Sequence, residues 1–245
     1  GWLYFTKERF DLFYPSYGDT YPTFNGAIGM TYEQAGNSSS GRAAQMSNGD
    51  TLTLLDRVMH HKTTALSTVE IASQNAAALS ENFQNYFERA QNEPNGKYDS
   101  YLIKVTDSQK DKVEKLTQLL DRHGIQYGSV EGSQRAVGYD YINDAEKSVS
   151  ILARDLVIDA RQPMGTLVQV LFDPESELVD SLTYDITAWA LPYAFGLEAY
   201  AFEERIQPAQ EFDINRKSDE FSERSAAQPY AYLSTWHSVA DAAFL

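Results

Sequence analysis

Apolar residues recur at three- and four-residue intervals along residues 53–86, the spacing of an amphipathic helix. The positions are Leu55, Val58, Met59, Leu66, Val69, Ala72, Ala76, Leu79, Phe83 and Tyr86, with the aliphatic stem of Lys62 between them. Thr53 and Asp56 resemble a capping box, although Asp is shorter than the usual Glu. The pattern therefore predicts a long helix that begins after Thr53. Whether the helix is broken once along its length stays open.

Beyond residue 97 the pattern changes to short apolar runs that alternate with helical periodicity. The runs predict strands at residues 98–105, 125–130 and 155–159. A helix is predicted at residues 108–123, because Val113, Leu116, Leu119 and Leu120 share one face and Gly124 follows as a stop. A second helix is predicted after Pro163, with residues 167–172 as its apolar face and residues 173–175 as its end. Strand, helix and strand in succession favour a parallel or mixed sheet.

The segment between these two patterns, residues 91–97, is rich in turn-forming residues. We therefore predict two α/β units, residues 1–92 and residues 98–245, the second of them truncated at its C-terminus. A chain of 245 residues with 42% hydrophobic content is large enough for either one large domain or two ordinary ones.

Residues 13–36 read as a loop that leads into a strand. The first half is dense in Gly, Pro, Asn, Asp and Tyr, which are the residues of ordered surface loops. An apolar run at residues 27–32 then has the length of a buried strand. Glu33 follows this run directly, and a carboxylate beside an apolar strand is costly to desolvate unless it has a partner or a function.

Residues 26–33 resemble the last core strand of the zinc carboxypeptidases, which ends in the glutamate that acts as general base. The segment Tyr14-Pro-Ser-Tyr-Gly-Asp-Thr is similar to the mobile loop that carries the substrate-binding tyrosine of that family. Residues 51–87 fall where the family has its closing helix. The resemblance thus covers about the first 90 residues, and it implies the C-terminal part of a catalytic α/β domain.

The resemblance implies specific roles for three residues. Glu33 would take the proton of a zinc-activated water and pass it to the leaving amine, as in peptide hydrolysis at a C-terminus. Tyr14 is our choice for the tyrosine that binds the substrate when the loop closes, and Tyr17 is the alternative. A purely structural role, in which both rings only pack the loop, remains open.

The zinc signature of the family, His-x-x-Glu with a later His, is absent from this sequence. The four histidines are His60, His61, His123 and His237, and none has Glu three residues later. His60 and His61 point about 100° apart on a helix, so we favour ordinary helix histidines over zinc ligands. Arg42 and Arg57 do not match the family's carboxylate-binding arginine. We therefore expect the zinc ligands to lie outside this chain and the chain alone to bind no metal and to be inactive.

The second unit looks like the α/β domain, glutamine-amidotransferase-like in outline, that follows the catalytic domain in some large bacterial zinc carboxypeptidases. A glutaminase needs a nucleophilic cysteine, and this chain contains none, which excludes that activity. Asp185, beside Trp189 and other aromatic residues, has a catalytic interpretation, but we favour a cap for a helix that begins near Ile186. Trp189, Leu191 and Tyr193 are then expected to fill the core.

The charge and composition of the chain argue against some classes of binding partner. A formal net charge of −15 argues against binding to nucleic acid, and no run of 18 apolar residues predicts a membrane span. The expected partners are the C-termini of peptides or proteins, and the resemblance implies a periplasmic or extracellular location. The alternative to an enzyme is a pseudo-peptidase scaffold, or a module that binds peptide or glycan. The oligomeric state stays open.

Overall fold

An antiparallel sheet flanked by helices forms the centre of the computed structural model, which describes residues 14–34, 42–93, 96–176 and 189–216. The strands are β1 (Ala43–Gln45), β2 (Thr51–Thr53), β3 (Ser100–Ile103), β4 (Ser133–Asp140), β5 (Ala145–Leu152), β6 (Leu156–Asp159) and β7 (Ala199–Phe202). The α-helices are α1 (Leu54–Gln74), α2 (Ala76–Asn92), α3 (Lys110–Arg122), α4 (Gly165–Phe172) and α5 (Leu191–Phe195). The fold is therefore of the mixed α and β class.

The long helix predicted from residue 54 onward is confirmed, and it is broken once. The break lies at Asn75, which separates α1 from α2. Thr53 caps α1 as the sequence predicted: its hydroxyl accepts from the Asp56 amide, and the Asp56 carboxylate accepts from the Thr53 amide at 2.9 Å. Asp is thus long enough to complete the reciprocal pair of a capping box.

The apolar side of α1 is exposed. Leu55, Leu66 and Val69 keep 69%, 59% and 68% of their surface accessible, whereas a helix of a folded domain normally buries such a stripe. Of the side chains on α1, Arg57 is the buried one. The C-terminal end of α2 behaves differently, since Ala90 is buried and the Asn92 carbonyl accepts from the Arg161 guanidinium at 3.1 Å.

The five-stranded sheet has the order β5-β4-β7-β3-β6, and every pair of neighbours is antiparallel. The prediction of a parallel or mixed sheet is therefore wrong. Two strand-helix-strand connections are present. The one predicted from the sequence runs from β3 through α3 to residues 128–129, and a second one, which was not predicted, runs from β6 through α4 to β7. In each of them one further strand lies between the two connected strands. This is the split arrangement of a βαββαβ unit, in which the connected strands run parallel but are not hydrogen-bonded to each other.

Both faces of the sheet are covered. Helices α3 and α4 pack on one face through Val113, Leu116, Leu120, Leu167 and Phe172. The opposite face buries Leu102, Val157, Tyr200 and Phe202, and the β4–β5 hairpin contributes Val149 and Ile151 to it. Because both faces are buried, β3, β6 and β7 are apolar without alternation, and this removed the period-two signal of an antiparallel strand.

Several smaller predictions are settled by these elements. The helices predicted at residues 108–123 and after Pro163 are confirmed as α3 and α4, and Gly124 ends α3 in the left-handed conformation. Residues 125–130 form only isolated bridges, from Gly128 to Val157 and from Ser129 to Gln210. The β4–β5 hairpin and β7 were not predicted. The predicted domain boundary stays a prediction, although it follows the end of α2.

A buried ion pair links the second face of the sheet to the end of the hairpin. Asp155 is completely buried and pairs with Lys104, which also donates to the Ser150 carbonyl at 2.9 Å. Asp155 further accepts from the amides of Leu152 and Val105, at 2.9 and 3.3 Å. One carboxylate therefore satisfies three donors from two segments, residues 104–105 and Leu152.

We expect Asp155→Ala to destabilise the fold by about 3–5 kcal/mol, because it leaves the Lys104 ammonium buried without its counter-charge. Urea unfolding followed by circular dichroism measures the effect. The control is Glu203→Ala, which removes the exposed Lys97–Glu203 pair at 3.5 Å and should cost less than about 1 kcal/mol. Equal losses in the two variants would contradict this role for Asp155.

Candidate functional site

Residues 14–34 form a loop, a short 3₁₀ helix at Tyr21–Asn25 and then an extended segment. The buried strand predicted at residues 27–32 is not formed in this described stretch. Ile28 and Met30 are 66% and 46% exposed. The run is as apolar as a buried strand, but a strand also needs a neighbour to hydrogen-bond its backbone, and none lies beside it among the described residues.

Glu33 lies near the end of the extended segment, and its side chain is exposed. The two residues that flank it hold the segment against α1: the Tyr32 hydroxyl is 2.8 Å from the Thr68 hydroxyl, and the Gln34 amide donates to the Thr64 hydroxyl. The desolvated environment that the sequence predicted for Glu33 is therefore absent. Within the described residues the Glu33 carboxylate has no hydrogen-bond or ion-pair partner, and it is accessible to solvent.

The loop and the extended segment are joined at a close backbone contact. A Cβ atom placed on Gly29 would lie 1.7 Å from the Asp19 carbonyl oxygen, so no side chain fits there. The Asp19 carboxylate accepts from the Thr31 hydroxyl, and the neighbouring Thr20 is fully buried. The loop that carries the two candidate tyrosines is thus fixed to the segment that carries Glu33.

Tyr14 and Tyr17 are both half-buried and pack edge to face, with ring centroids 5.2 Å apart. Tyr14 also contacts the ring of Trp189 at 5.9 Å. These contacts explain how the two rings order the loop. They leave the choice between Tyr14 and Tyr17 as the substrate-binding residue a prediction.

The loop is anchored to the end of α3 and to α2 by contacts that no sequence pattern indicated. The Tyr21 hydroxyl lies 2.8 Å from His123 Nδ1 at the end of α3. Gly26 sits against the rings of Phe87 and Phe83, at 3.0 and 3.1 Å from an added Cβ. Burial lowers the pKa of His123, which favours the neutral ring in this contact.

The histidines of α1 do not form a metal site with their described neighbours. His60 is half-buried and His61 is exposed. In the part of the chain that the structure describes, no group of three or more His, Cys, Asp or Glu side chains could hold a metal ion. Asp185 and His237 lie outside the described residues. Trp189 is half-buried, Leu191 is buried and Tyr193 is 46% exposed, so the expected aromatic core around them is only partly formed.

A second cluster of polar groups lies at the end of α4, and no sequence pattern pointed to it. Burial, reinforced by the charge of Glu175, raises the pKa of Asp173 to about 6. The rings of Tyr98 and Tyr101 are near this carboxylate, and the buried Tyr101 hydroxyl has no hydrogen-bond partner among the described residues. Asp173 is therefore a carboxyl group that can exchange a proton close to neutral pH.

Comparisons with family models, with curated proteins and with solved structures found no match to this chain. Among the described helices, none is long and apolar enough to cross a membrane.

We expect Gly29→Ala to push the extended segment away from Asp19, because the added methyl group would overlap a carbonyl oxygen. Limited proteolysis mapped by mass spectrometry should show faster cleavage within residues 27–34, and the free energy of unfolding should fall by about 1–3 kcal/mol. The matched control is Gly18→Ala in the same loop, where an added Cβ meets nothing within 4 Å. Unchanged cleavage in Gly29→Ala would refute the close contact.

Asp173 should make stability depend on pH in a defined direction. Its folded pKa of about 6 lies above the ordinary 3.8, so its favourable contribution is present below pH 4 and is lost as the pH rises through 6. We expect Asp173→Asn to remove this loss and to be more stable than the wild type at pH 7.5 by about 1 kcal/mol, after allowance for solvent screening.

Thermal unfolding between pH 4 and 7.5 tests the assignment. The exposed Glu114→Gln on α3 serves as the control, since it removes one negative charge elsewhere on the surface. If both substitutions change the pH profile equally, the effect belongs to net charge and not to Asp173.

Proposed function

We propose that this chain is the C-terminal part of a zinc-dependent carboxypeptidase, in which Glu33 is the general base and the antiparallel α/β unit is an appended domain. The reaction is hydrolysis of the C-terminal peptide bond of a peptide or protein. The isolated chain is inactive in this proposal, because the zinc ligands belong to another part of the polypeptide. The parent protein would act in the periplasm or outside the cell.

One observation carries the proposal beyond the sequence resemblance. Two apolar surfaces that lie side by side, residues 28–32 and the stripe along α1, are both exposed, and hydrogen bonds from Tyr32 and Gln34 hold them together. An extended segment and a helix in this relation are what the edge of a larger α/β domain looks like without its adjoining sheet. The rest of a catalytic domain would cover them both.

The state of Glu33 supports the role of proton acceptor. A general base must reach a water molecule at hydrogen-bond distance, which requires an accessible carboxylate. Glu33 is exposed, and it has no partner among the described residues that would compete for its oxygens. The segment that carries it is fixed on two sides, by Asp19 and by α1, so covering its apolar residues would leave the carboxylate in a defined position.

Tyr14 and Tyr17 belong to the loop that is fixed to the same segment through Gly29 and Asp19. A tyrosine hydroxyl can donate a hydrogen bond to a peptide carbonyl or to a terminal carboxylate. Tyr14 remains our choice for this contact, with Tyr17 as the alternative.

Zinc has no binding site among the described residues, which gather no set of three ligand side chains. The proposal therefore assigns this chain only the proton acceptor and the substrate-side tyrosine, and it assigns the metal to residues elsewhere in the polypeptide. The alternative is a pseudo-peptidase, in which the same surfaces hold a scaffold together and the appended unit binds peptide or glycan.

The test compares the complete polypeptide with its Glu33→Gln variant in zinc content and in hydrolysis of a panel of short peptides. We expect about one bound zinc in both proteins, and a loss of turnover of at least about 100-fold in the variant, because glutamine cannot accept the proton. Glu70→Gln, an exposed glutamate on α1, is the control and should keep full activity.

Two outcomes would overturn the proposal. If the complete polypeptide binds no zinc, the scaffold alternative replaces the enzyme. If Glu33→Gln is as active as the wild type, the general base is another residue. Metal-dependent hydrolysis by the isolated chain would contradict the placement of the zinc ligands outside it.

A further inference from the structure

A cleft of about 280 Å³ opens where strand β4 separates from strand β7. It is lined by Gln134, Arg135 and Ala136 on one side and by residues 204–207 on the other. β4 pairs with β7 only at Tyr139 and Asp140, whereas it pairs with β5 along its whole length. The N-terminal half of β4 therefore has one paired edge and one edge that faces the cleft.

The hydrogen-bond pattern shows which residues present free backbone groups. The Tyr141 amide donates to the Ala199 carbonyl at 3.2 Å, so the odd-numbered residues of this strand face the β7 side. By the same alternation, Ser133, Arg135 and Val137 direct their N–H and C=O groups into the cleft, and none of these groups has a partner in the described part of the chain. Three residues in extended conformation thus form an edge on which another strand can add.

The opposite wall of the cleft is hydrogen-bonded to β6 and β3. The Arg205 guanidinium donates to Asp159 through Nε at 3.0 Å and through Nη2 at 2.8 Å. The Ile206 amide donates to the Ser100 hydroxyl at 3.0 Å, and the Ile206 side chain is buried in the second core. The cleft is therefore held open by contacts that do not depend on an occupant.

The charge of Arg135 favours some bound segments over others. Arg135 is exposed and has no ion pair within the described residues, and Glu204 lies on the opposite wall of the cleft. The residue paired opposite Arg135 therefore meets a cation that has no ion-pair partner. A second copy of β4 that paired around Arg135 would place two arginines together, which is unfavourable. A carboxylate at that position is favourable. The side chain that best fits this edge is therefore acidic.

We propose that this cleft binds an extended segment of a partner polypeptide, which adds as a strand to Ser133–Val137 and places an acidic side chain opposite Arg135. The backbone of β4 supplies the hydrogen bonds, and Arg135 supplies the selectivity. The site lies on residues other than Glu33 and its loop, so binding at this site can be tested independently of the peptidase activity.

The probe is the peptide acetyl-Thr-Val-Thr-Glu-Thr-Val-Thr-amide, compared with the same peptide carrying Lys in place of Glu. Titration into ¹⁵N-labelled protein should move the amide signals of Ser133, Arg135 and Val137, and the glutamate peptide should bind at least tenfold more tightly. Because the chain carries a net charge of −15, non-specific attraction would favour the lysine peptide. A preference for glutamate therefore reports the local charge at Arg135.

Two pairs of variants separate backbone from side-chain recognition. Val137→Pro removes an N–H that faces the cleft and leaves the β4–β5 hydrogen bonds in place, and it should weaken binding at least tenfold. Val137→Thr keeps the N–H and should stay within threefold of the wild type. Arg135→Glu should reverse the preference so that the lysine peptide binds more tightly, while Arg135→Lys should retain the wild-type order.

The proposal is overturned if neither peptide moves these amides, or if Val137→Pro binds as the wild type does. It is also overturned if the protein self-associates through this edge. In that case light scattering would show a mass that rises with concentration and returns to the monomer value in Val137→Pro.

Discussion

Burial of β3 on both faces is the constraint on which the five-stranded sheet and its helices depend. Its four residues are all buried, and its two neighbours, β6 and β7, are antiparallel to it and equally buried. A strand that is buried on both faces needs a covering layer on each side, and one layer of helices covers only one side. The β4–β5 hairpin therefore folds over the second face, and the Lys104–Asp155 pair fixes its end there. The cleft beside β4 follows from this arrangement, because the part of β4 that bends over the sheet separates from its neighbour β7.

The N-terminal residues are organised by a different constraint, the close approach of Gly29 to Asp19. This contact, with the hydrogen bonds of Tyr32 and Gln34 to α1, places the candidate tyrosines, Glu33 and the long helix in one connected surface. The surface is apolar along α1 and carries an accessible carboxylate near its end. Apolar side chains exposed next to one another, as here, are typical of a site of contact with more protein. The proposed peptidase and its scaffold alternative both account for this surface, and they differ in what Glu33 does.

The N-terminal loop and α2 contact the sheet and its helices through side chains as well as through the chain connection. Tyr21 contacts His123 at the end of α3, and Arg161 links the Asn92 carbonyl at the end of α2 to the Asp99 carboxylate. The first of these contacts places the candidate loop against the end of α3. The two proposed sites nevertheless use different residues.

The sequence by itself determined the elements whose signals are local. The capping box at Thr53 and Asp56, the stop at Gly124 and the apolar faces of α3 and α4 depend on residues three or four positions apart, and all were predicted. Tertiary structure decided what depends on distant partners. The split of each strand-helix-strand connection by a third strand made the sheet antiparallel, because pairing is chosen by the whole sheet and not by the connection. The absence of a strand at residues 27–32 has the same origin, since an apolar run becomes a strand only when another strand lies beside it. The raised pKa of Asp173 and the open edge of β4 likewise arise from side chains and strands far apart in the sequence, and no pattern along the chain could reveal them.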